Sequence, residues 1–229
     1  MPACPASSQF TKRSALYRCI PFGNFDWLEH GFSTRSASPT GSIVTLKQVH
    51  SAAVRNATGL RDRAAEGDAL ISNERGTWVG VRTADCVPIL LADPATHAVA
   101  AIHAGWRGTA AAIAQRTVEQ LAAEFGSKPG NLLAAIGPAI RVCCYEVGEE
   151  VAARFRQLFP EGLQSTGNKG RTLLDLIDAN RRILIRAGVF GEQIYDSGLC
   201  TCCCAEEFHS FRRDPNDTGR MVSFIGRSD

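Results

Sequence analysis

Two hydrophobic rhythms divide the chain. Between residues 43 and 103 the apolar positions come in short runs separated by polar, turn-length gaps. Residues 43–49, 68–72, 78–83, 87–92 and 98–103 each read as a strand. After Gly105 the spacing changes. Ala110, Ile113, Ala114, Thr117, Val118, Leu121, Ala122 and Phe125 fall at steps of three and four, which places them on one face of a helix starting near Thr109. Gly126 and Pro129 end it. Residues 132–136 read as a buried strand closed by Gly137-Pro138, and 146–158 as a helix. A second amphipathic helix over 172–187 aligns Leu173, Leu176, Ile177, Asn180, Ile183 and Leu184 and stops at Gly188. Residues 194–196 and 221–225 are closing strands, and the segment before residue 43, rich in Gly, Pro and Ser, reads as irregular. A run of strands ahead of the first helix predicts an α+β fold, strand-rich layers covered by helices. No repeat or low-complexity linker interrupts the pattern, and 229 residues fit one large domain, 1–229.

Composition narrows the classes. Apolar residues make up 45%, and the net charge is +2 with both signs mixed along the chain. Nothing in that balance suggests a nucleic-acid or membrane surface. No stretch approaches the roughly 20 apolar residues of a membrane span, and no signal-type apolar run precedes the first basic pair. A cytoplasmic protein is expected. The nine cysteines fit that compartment as reduced thiols. Cys143 and Cys144 are adjacent, and Cys200, Cys202, Cys203 and Cys204 crowd together, whereas neighbouring cysteines rarely satisfy disulfide geometry.

Three reactive side chains stand at or just past strand ends: His50 in KQVH, Cys86 in RTADC and His103 in AIHAGWRG. If those ends converge, two imidazoles and a thiolate meet at one sheet edge. Such a donor set suits zinc or copper, and three protein ligands leave a fourth position open, as at a catalytic zinc. The same residues support a reading without metal. Cys86 and His103 can form a thiolate–imidazolium pair for acyl transfer, with Asp85 or Gln48 in support. Spacing does not separate the two.

The loop Ala104-Gly105-Trp106-Arg107-Gly108 leads from His103 into the helix, so its N–H groups and Arg107 are expected to form an anion site. A tight turn with Trp106 as core anchor is the plainer alternative. Contiguous Cys202, Cys203 and Cys204 cannot all face one ion without strain, so this run reads as buried or surface thiols. Cys143-Cys144-Tyr145 reads equally as pocket wall or core, and His209 and Arg212 as structural.

The strings HGFSTR, KQVH, GDALIS, RTADCVPILLADP, AIHAGWRG, AIGPAI, CCYEVGEEV and FHSFRRD closely resemble the YfiH/YlmD family. That family has a human relative called FAMIN and carries two labels, multicopper polyphenol oxidase (laccase) and purine nucleoside phosphorylase. The matches run from about His30 to Ile225. The resemblance implies a layered α/β/β/α sandwich with mixed sheets, also likened to cysteine hydrolases. It implies one zinc ion, with copper the alternative, on the positions matching its His–Cys–His site: His50, Cys86 and His103. The implied substrates are purine nucleosides and inorganic phosphate. Adenosine, inosine and 5′-methylthioadenosine would be cleaved to free base and a ribose 1-phosphate, with adenosine deamination alongside, by a monomer or homodimer.

On that basis phosphate is expected on Arg107, Gly105 and Arg35, with Gln48 near the substrate and Asp85 or a metal-activated water protonating the base. The chain departs from the family in two places. Eleven residues separate Arg35 from Lys47, where relatives carry a longer segment with a Ser-Leu-Asn motif, and CTCCC is richer in cysteine than the usual Cys-Thr-x-Cys. The laccase label fits the residues poorly: a multicopper oxidase uses about ten histidines, and the chain has five.

Overall fold

The computed structural model describes residues 5–37, 39, 41–167 and 170–228. Its architecture is two mixed sheets stacked face to face, with four α-helices among the described residues gathered on one side. The first sheet orders its strands β1 (Phe10–Arg13), β2 (Leu16–Cys19), β3 (Leu28–Ser33), β15 (Met221–Arg227), β7 (Trp78–Thr83) and β4 (Ile43–Val44). The second runs β14 (Ile194–Asp196), β10 (Leu133–Ile136), β8 (Val87–Ala92), β9 (Val99–Ala104), β6 (Ala69–Ser72) and β5 (Val54–Asn56). Most neighbours are antiparallel, whereas β4/β7, β5/β6 and β10/β14 are parallel. A small third sheet joins β11 (Glu146–Val147), β13 (Thr172–Leu174) and β12 (Gln164–Thr166).

The central sheet explains the unbroken apolar runs of the sequence. Every residue of β8 and of β9 is buried. Ile89, Leu91, Ala100 and Ile102 face the helices, while Leu90, Ala92, Val99 and Ala101 face the first sheet. A strand covered on both faces loses the alternation of a half-exposed one. The helix-side core collects Ile113, Val118 and Leu121 of α2 (Ile113–Phe125), Phe155 of α3 (Glu149–Leu158) and Ile177, Ile183 and Leu184 of α4 (Leu176–Arg186). The α+β class and the sandwich of mixed sheets are therefore as expected. No helix among the described residues is long and apolar enough to cross a membrane.

Several local expectations need correction. The region before residue 43 is not irregular: β1 and β2 form a hairpin turned at Ser14, whose φ is 55°, and β3 pairs with β15. Strands of four residues such as FTKR and LYRC are too short to announce themselves by pattern. The expected strand over 43–49 ends at Val44, because the N–H and hydroxyl of Thr45 turn to Asp62 Oδ1 at 2.9 and 2.6 Å. Both later helices begin three or four residues downstream, their first residues being strands of the third sheet. The Asp175 carboxylate caps α4 by accepting the Asp178 N–H at 2.9 Å. The first helix starts earlier and breaks. Residues 106–110 form α1 (Trp106–Ala110), and Ala112, left-handed at φ 58°, separates it from α2.

Candidate metal centre

The β8/β9 ladder puts the expected ligands side by side. Pro88 pairs with His103 and Val87 with Ala104, so Cys86, one residue before β8, lies across from Gly105, one residue after β9. On the other flank Ala69 pairs with Ile102, and Asp68 accepts the His103 backbone N–H at 2.7 Å. His50 arrives from the connection ahead of β5 in a left-handed conformation, φ 59°. The imidazole nitrogens of His50 and His103 and the Cys86 sulfur all lie within 4.8 Å of one another. His50 Nε2 is 4.0 Å from Cys86 Sγ, and the two rings meet edge-on with centroids 4.9 Å apart. Two nitrogens and one sulfur at this separation fit a single zinc-sized ion with one position left open.

Asp68 organises the set. Its Oδ1 accepts from His103 Nδ1 at 2.8 Å and from the His50 N–H at 3.0 Å. Its Oδ2 accepts the Ser51 N–H at 2.6 Å and the Ser51 hydroxyl at 2.7 Å. Burial alone would raise this fully enclosed carboxyl, but the bonds from His103 and Ser51 outweigh it and hold it at about 2. Burial likewise pushes the Cys86 thiol up and the His103 imidazole down, and their hydrogen bonds reverse both. His103 and His50 bring Cys86 to about 6, while Asp68 and Cys86 bring His103 to about 9. Gly105 leaves the room. A Cβ there would sit 3.0 Å from Cys86 Sγ and 3.1 Å from His50 Cδ2.

These three side chains open on a cleft of about 390 Å³ that Arg63, Arg82, Arg220, Gln48 and Phe211 also line. Arg82 and Arg220 continue into a wider groove of about 600 Å³ bordered by Ala37 and Ser42, beside the segment after Arg35. The other expected site residues sit differently. Gln48 clamps the backbone of Arg82, donating to its carbonyl and accepting its N–H, both at 2.8 Å, so its amide is already used. The Asp85 carboxylate accepts the Thr201 hydroxyl at 2.6 Å and the Arg212 N–H at 2.7 Å. Asp85, at φ 93°, therefore anchors the turn that presents Cys86 and does not line the cleft.

Arg107 lies on the Trp106 ring, 4.6 Å from its centroid, over a separate depression shared with Glu150 and Arg154. The loop expected to cradle an anion is helix α1, of five residues. Arg35 donates to the Ala205 carbonyl at 2.9 Å, outside the cleft wall. Sequence reasoning missed Asp68, Arg63, Arg82 and Arg220. Two signals were present: an acid immediately ahead of the apolar run ALIS, and alternation along VRT that turns Arg82 away from buried Val81 and Thr83.

The sequence pattern of the family described as multi-copper polyphenol oxidoreductase laccase matches residues 29–228. This chain belongs to that family. Relatives in the laccase family include a Deinococcus radiodurans protein named purine nucleoside phosphorylase, 47% identical over 161 residues. The match covers 70% of this chain and 61% of the relative; for YlmD of Bacillus subtilis it covers 58% of the relative's length. The Geobacillus stearothermophilus protein named purine nucleoside phosphorylase YlmD is 39% identical over 203 residues, 83% of this chain and 74% of its own. The solved structure of that YlmD superposes with a TM-score of 0.86 at 31% identity, over 96% of this chain and 99% of that one. YfiH of Bacillus licheniformis gives 0.86 at 29%, over 96% and 100%. The YfiH/YlmD resemblance of the motifs thus extends to the fold.

Within this laccase-family chain the remaining histidines are committed elsewhere. His30 is buried and accepts the Cys19 N–H at 2.8 Å, His97 stacks on Trp27 at 4.6 Å, and His209 bonds Asp217 at 2.6 Å. Among the described residues only His50 and His103 share a candidate metal cluster.

Proposed function

We propose that this chain is a metal-dependent purine nucleoside phosphorylase. It would cleave adenosine, inosine and 5′-methylthioadenosine with phosphate to free base and ribose 1-phosphate or its 5-methylthio analogue, with zinc as the ion and adenosine deamination as a side activity. The observation that carries this reading is the meeting of His50, Cys86 and His103 in a cleft walled by Arg63, Arg82 and Arg220. The names of the relatives agree with it.

The residues divide the work. Arginine guanidinium groups offer forked donors to phosphate oxygens, and three of them share this cleft. Positive charge develops at the ribose anomeric carbon as the base departs, so a phosphate held beside it stabilises the transition state. Phe211, 56% exposed at the cleft, offers an aromatic face for a purine ring. Asp68 fixes the His103 tautomer, leaving Nε2 turned toward Cys86. An ion held by His50, Cys86 and His103 would supply Lewis acidity and an activated water for attack at purine C6. Because Arg107 lines a separate depression, Arg35 bonds Ala205 and Asp85 bonds Thr201 and Arg212, this reading assigns phosphate binding to the cleft arginines instead. Oxidase chemistry is the weaker reading, since His30, His97 and His209 lie apart from the ligand set.

The test is base release from the three nucleosides with phosphate varied. The reading requires release that depends on phosphate and yields a ribose 1-phosphate. Release without phosphate overturns it. One observation favours a second reading: Asp68, His103 and Cys86 form a chain of hydrogen bonds around a thiol held near 6, suited to a thiol hydrolase. Activity that survives exhaustive metal removal would favour that alternative.

A further inference from the structure

We propose that Cys143, Cys144, Cys200 and Cys203 form a second metal site, holding one tetrahedral zinc ion in a closed, structural role. Their sulfurs all lie within 4.8 Å of one another. Cys143 Sγ is 3.7 Å from each of Cys144, Cys200 and Cys203, and Cys144 Sγ is 3.4 Å from Cys203. Zinc–sulfur bonds of about 2.3 Å in a tetrahedron separate the sulfurs by about 3.8 Å. The observed edges are close to that value. An iron–sulfur cluster places inorganic sulfide and several irons between its cysteines and spreads them further apart, so one ion fits this spacing. Four thiolate donors in a tetrahedron select zinc among the divalent ions that keep no redox chemistry.

The scaffold brings the two cysteine pairs together by contacts of its own. Ala139 bridges Cys200 in parallel: its N–H donates to the Leu199 carbonyl at 3.3 Å, and its carbonyl accepts the Thr201 N–H at 3.0 Å. The Arg141 guanidinium grips the Asp196 carboxylate with two bonds of 2.9 and 2.8 Å. Cys200 and Cys203 have the two-residue spacing of a zinc knuckle. Cys202 stands outside the four, so contiguous 202–204 is not asked to converge on one point. No pair among the eight described cysteines is joined as a disulfide.

The site would brace the wall behind the first centre. The Thr201 hydroxyl, between the two ligands of the knuckle, bonds the Asp85 carboxylate at 2.6 Å. The carbonyl of Glu146, just past Cys144 and Tyr145, accepts from Arg212 at 2.8 Å, and the Arg212 N–H holds the other Asp85 oxygen. An ion at the four sulfurs would thus fix both segments that anchor the turn carrying Cys86.

Native mass spectrometry of the full chain, purified under reducing conditions without chelator, tests this. Two zinc ions per chain are expected in the wild type, and one each in Cys86→Ala and in Cys200→Ser/Cys203→Ser. Cobalt-loaded Cys86→Ala keeps the four sulfurs intact, so it does not depend on the knuckle variant folding. It should bind one cobalt with the sulfur-to-metal absorption of four thiolates. A wild type with one ion and a Cys86→Ala protein with none would overturn the site. So would a mass lower by the hydrogens of a disulfide, or cobalt absorption of fewer thiolates. Loss of the ion at His50, Cys86 and His103 alone leaves this second ion in place, so the two sites stand or fall separately.

Discussion

Asp68 and His103 are joined twice: the Asp68 carbonyl accepts the His103 backbone N–H at 2.7 Å, and its carboxylate bonds His103 Nδ1 at 2.8 Å. The same carboxylate accepts the His50 N–H, so one buried acid positions two of the three candidate ligands. Outer-shell partners of this kind are worth about 10–100-fold in metal affinity. Asp68→Asn should therefore bind zinc 10–100-fold more weakly in competition with a chelator, with Cys86 and both histidines intact. Undiminished affinity would show that the acid serves only the fold.

Gly105 supplies an independent probe. Its backbone, φ −72° and ψ 170°, suits any residue, yet a Cβ would touch Cys86 Sγ and His50 Cδ2. Overpacking of this kind costs about 1–3 kcal/mol, and here it falls on the ligand set. Gly105→Ala should keep its thermal midpoint within a few degrees while zinc affinity drops about tenfold or more. A variant that loses stability and keeps affinity would contradict the placement.

The paired shifts of Cys86 and His103 fix a proton count. With Cys86 near 6 and His103 near 9, the metal-free site at pH 7.5 holds a thiolate and an imidazolium. An ion needs neutral imidazole, so it displaces the His103 proton. Loading this site at pH 7.5, with the four-cysteine site already filled, should release about one proton per ion. Affinity should rise with pH until His103 loses its proton near 9, and fall below pH 6 as Cys86 takes one up. Calorimetry in buffers of different ionisation enthalpy reads the count, and a value near zero would contradict it.

His30 makes the fold acid-sensitive. Burial and the nearby Arg18 charge hold its imidazole down to about 3, and Nε2 accepts the Cys19 N–H. The unfolded chain takes up this proton near 6.5. Stability is thus complete above 6.5 and declines toward pH 3, by at most about 1.4 kcal/mol per pH unit. Denaturant midpoints across this range should fall less steeply in His30→Gln. A His30 ring signal that titrates near 6.5 in the folded protein would contradict the assignment.

The convergence of His50, Cys86 and His103 was legible because they are reactive residues at strand ends, and the strand runs were strong. Asp68 was not, since a carboxylate before a strand also reads as a turn residue until the ladder places it beside His103. Arg107 lies apart from the His50–Cys86–His103 cleft because the loop after Gly105 is already helical, which turns its side chain onto Trp106. Cys202, Cys203 and Cys204 do not converge on one point; instead the pairing of Ala139 with Cys200, between segments far apart in sequence, carries Cys143 and Cys144 to Cys200 and Cys203. The hairpin of β1 and β2 escaped because four-residue strands are identified by their partners more than by their own pattern.

The central claim is that His50, Cys86 and His103 hold one ion, and diffraction at the zinc absorption edge tests it most directly. The account predicts an anomalous peak about 2.0–2.3 Å from both imidazole nitrogens and the Cys86 sulfur. Crystals grown with zinc that show no density among these three atoms, or an ion held by other residues of the cleft, would contradict it.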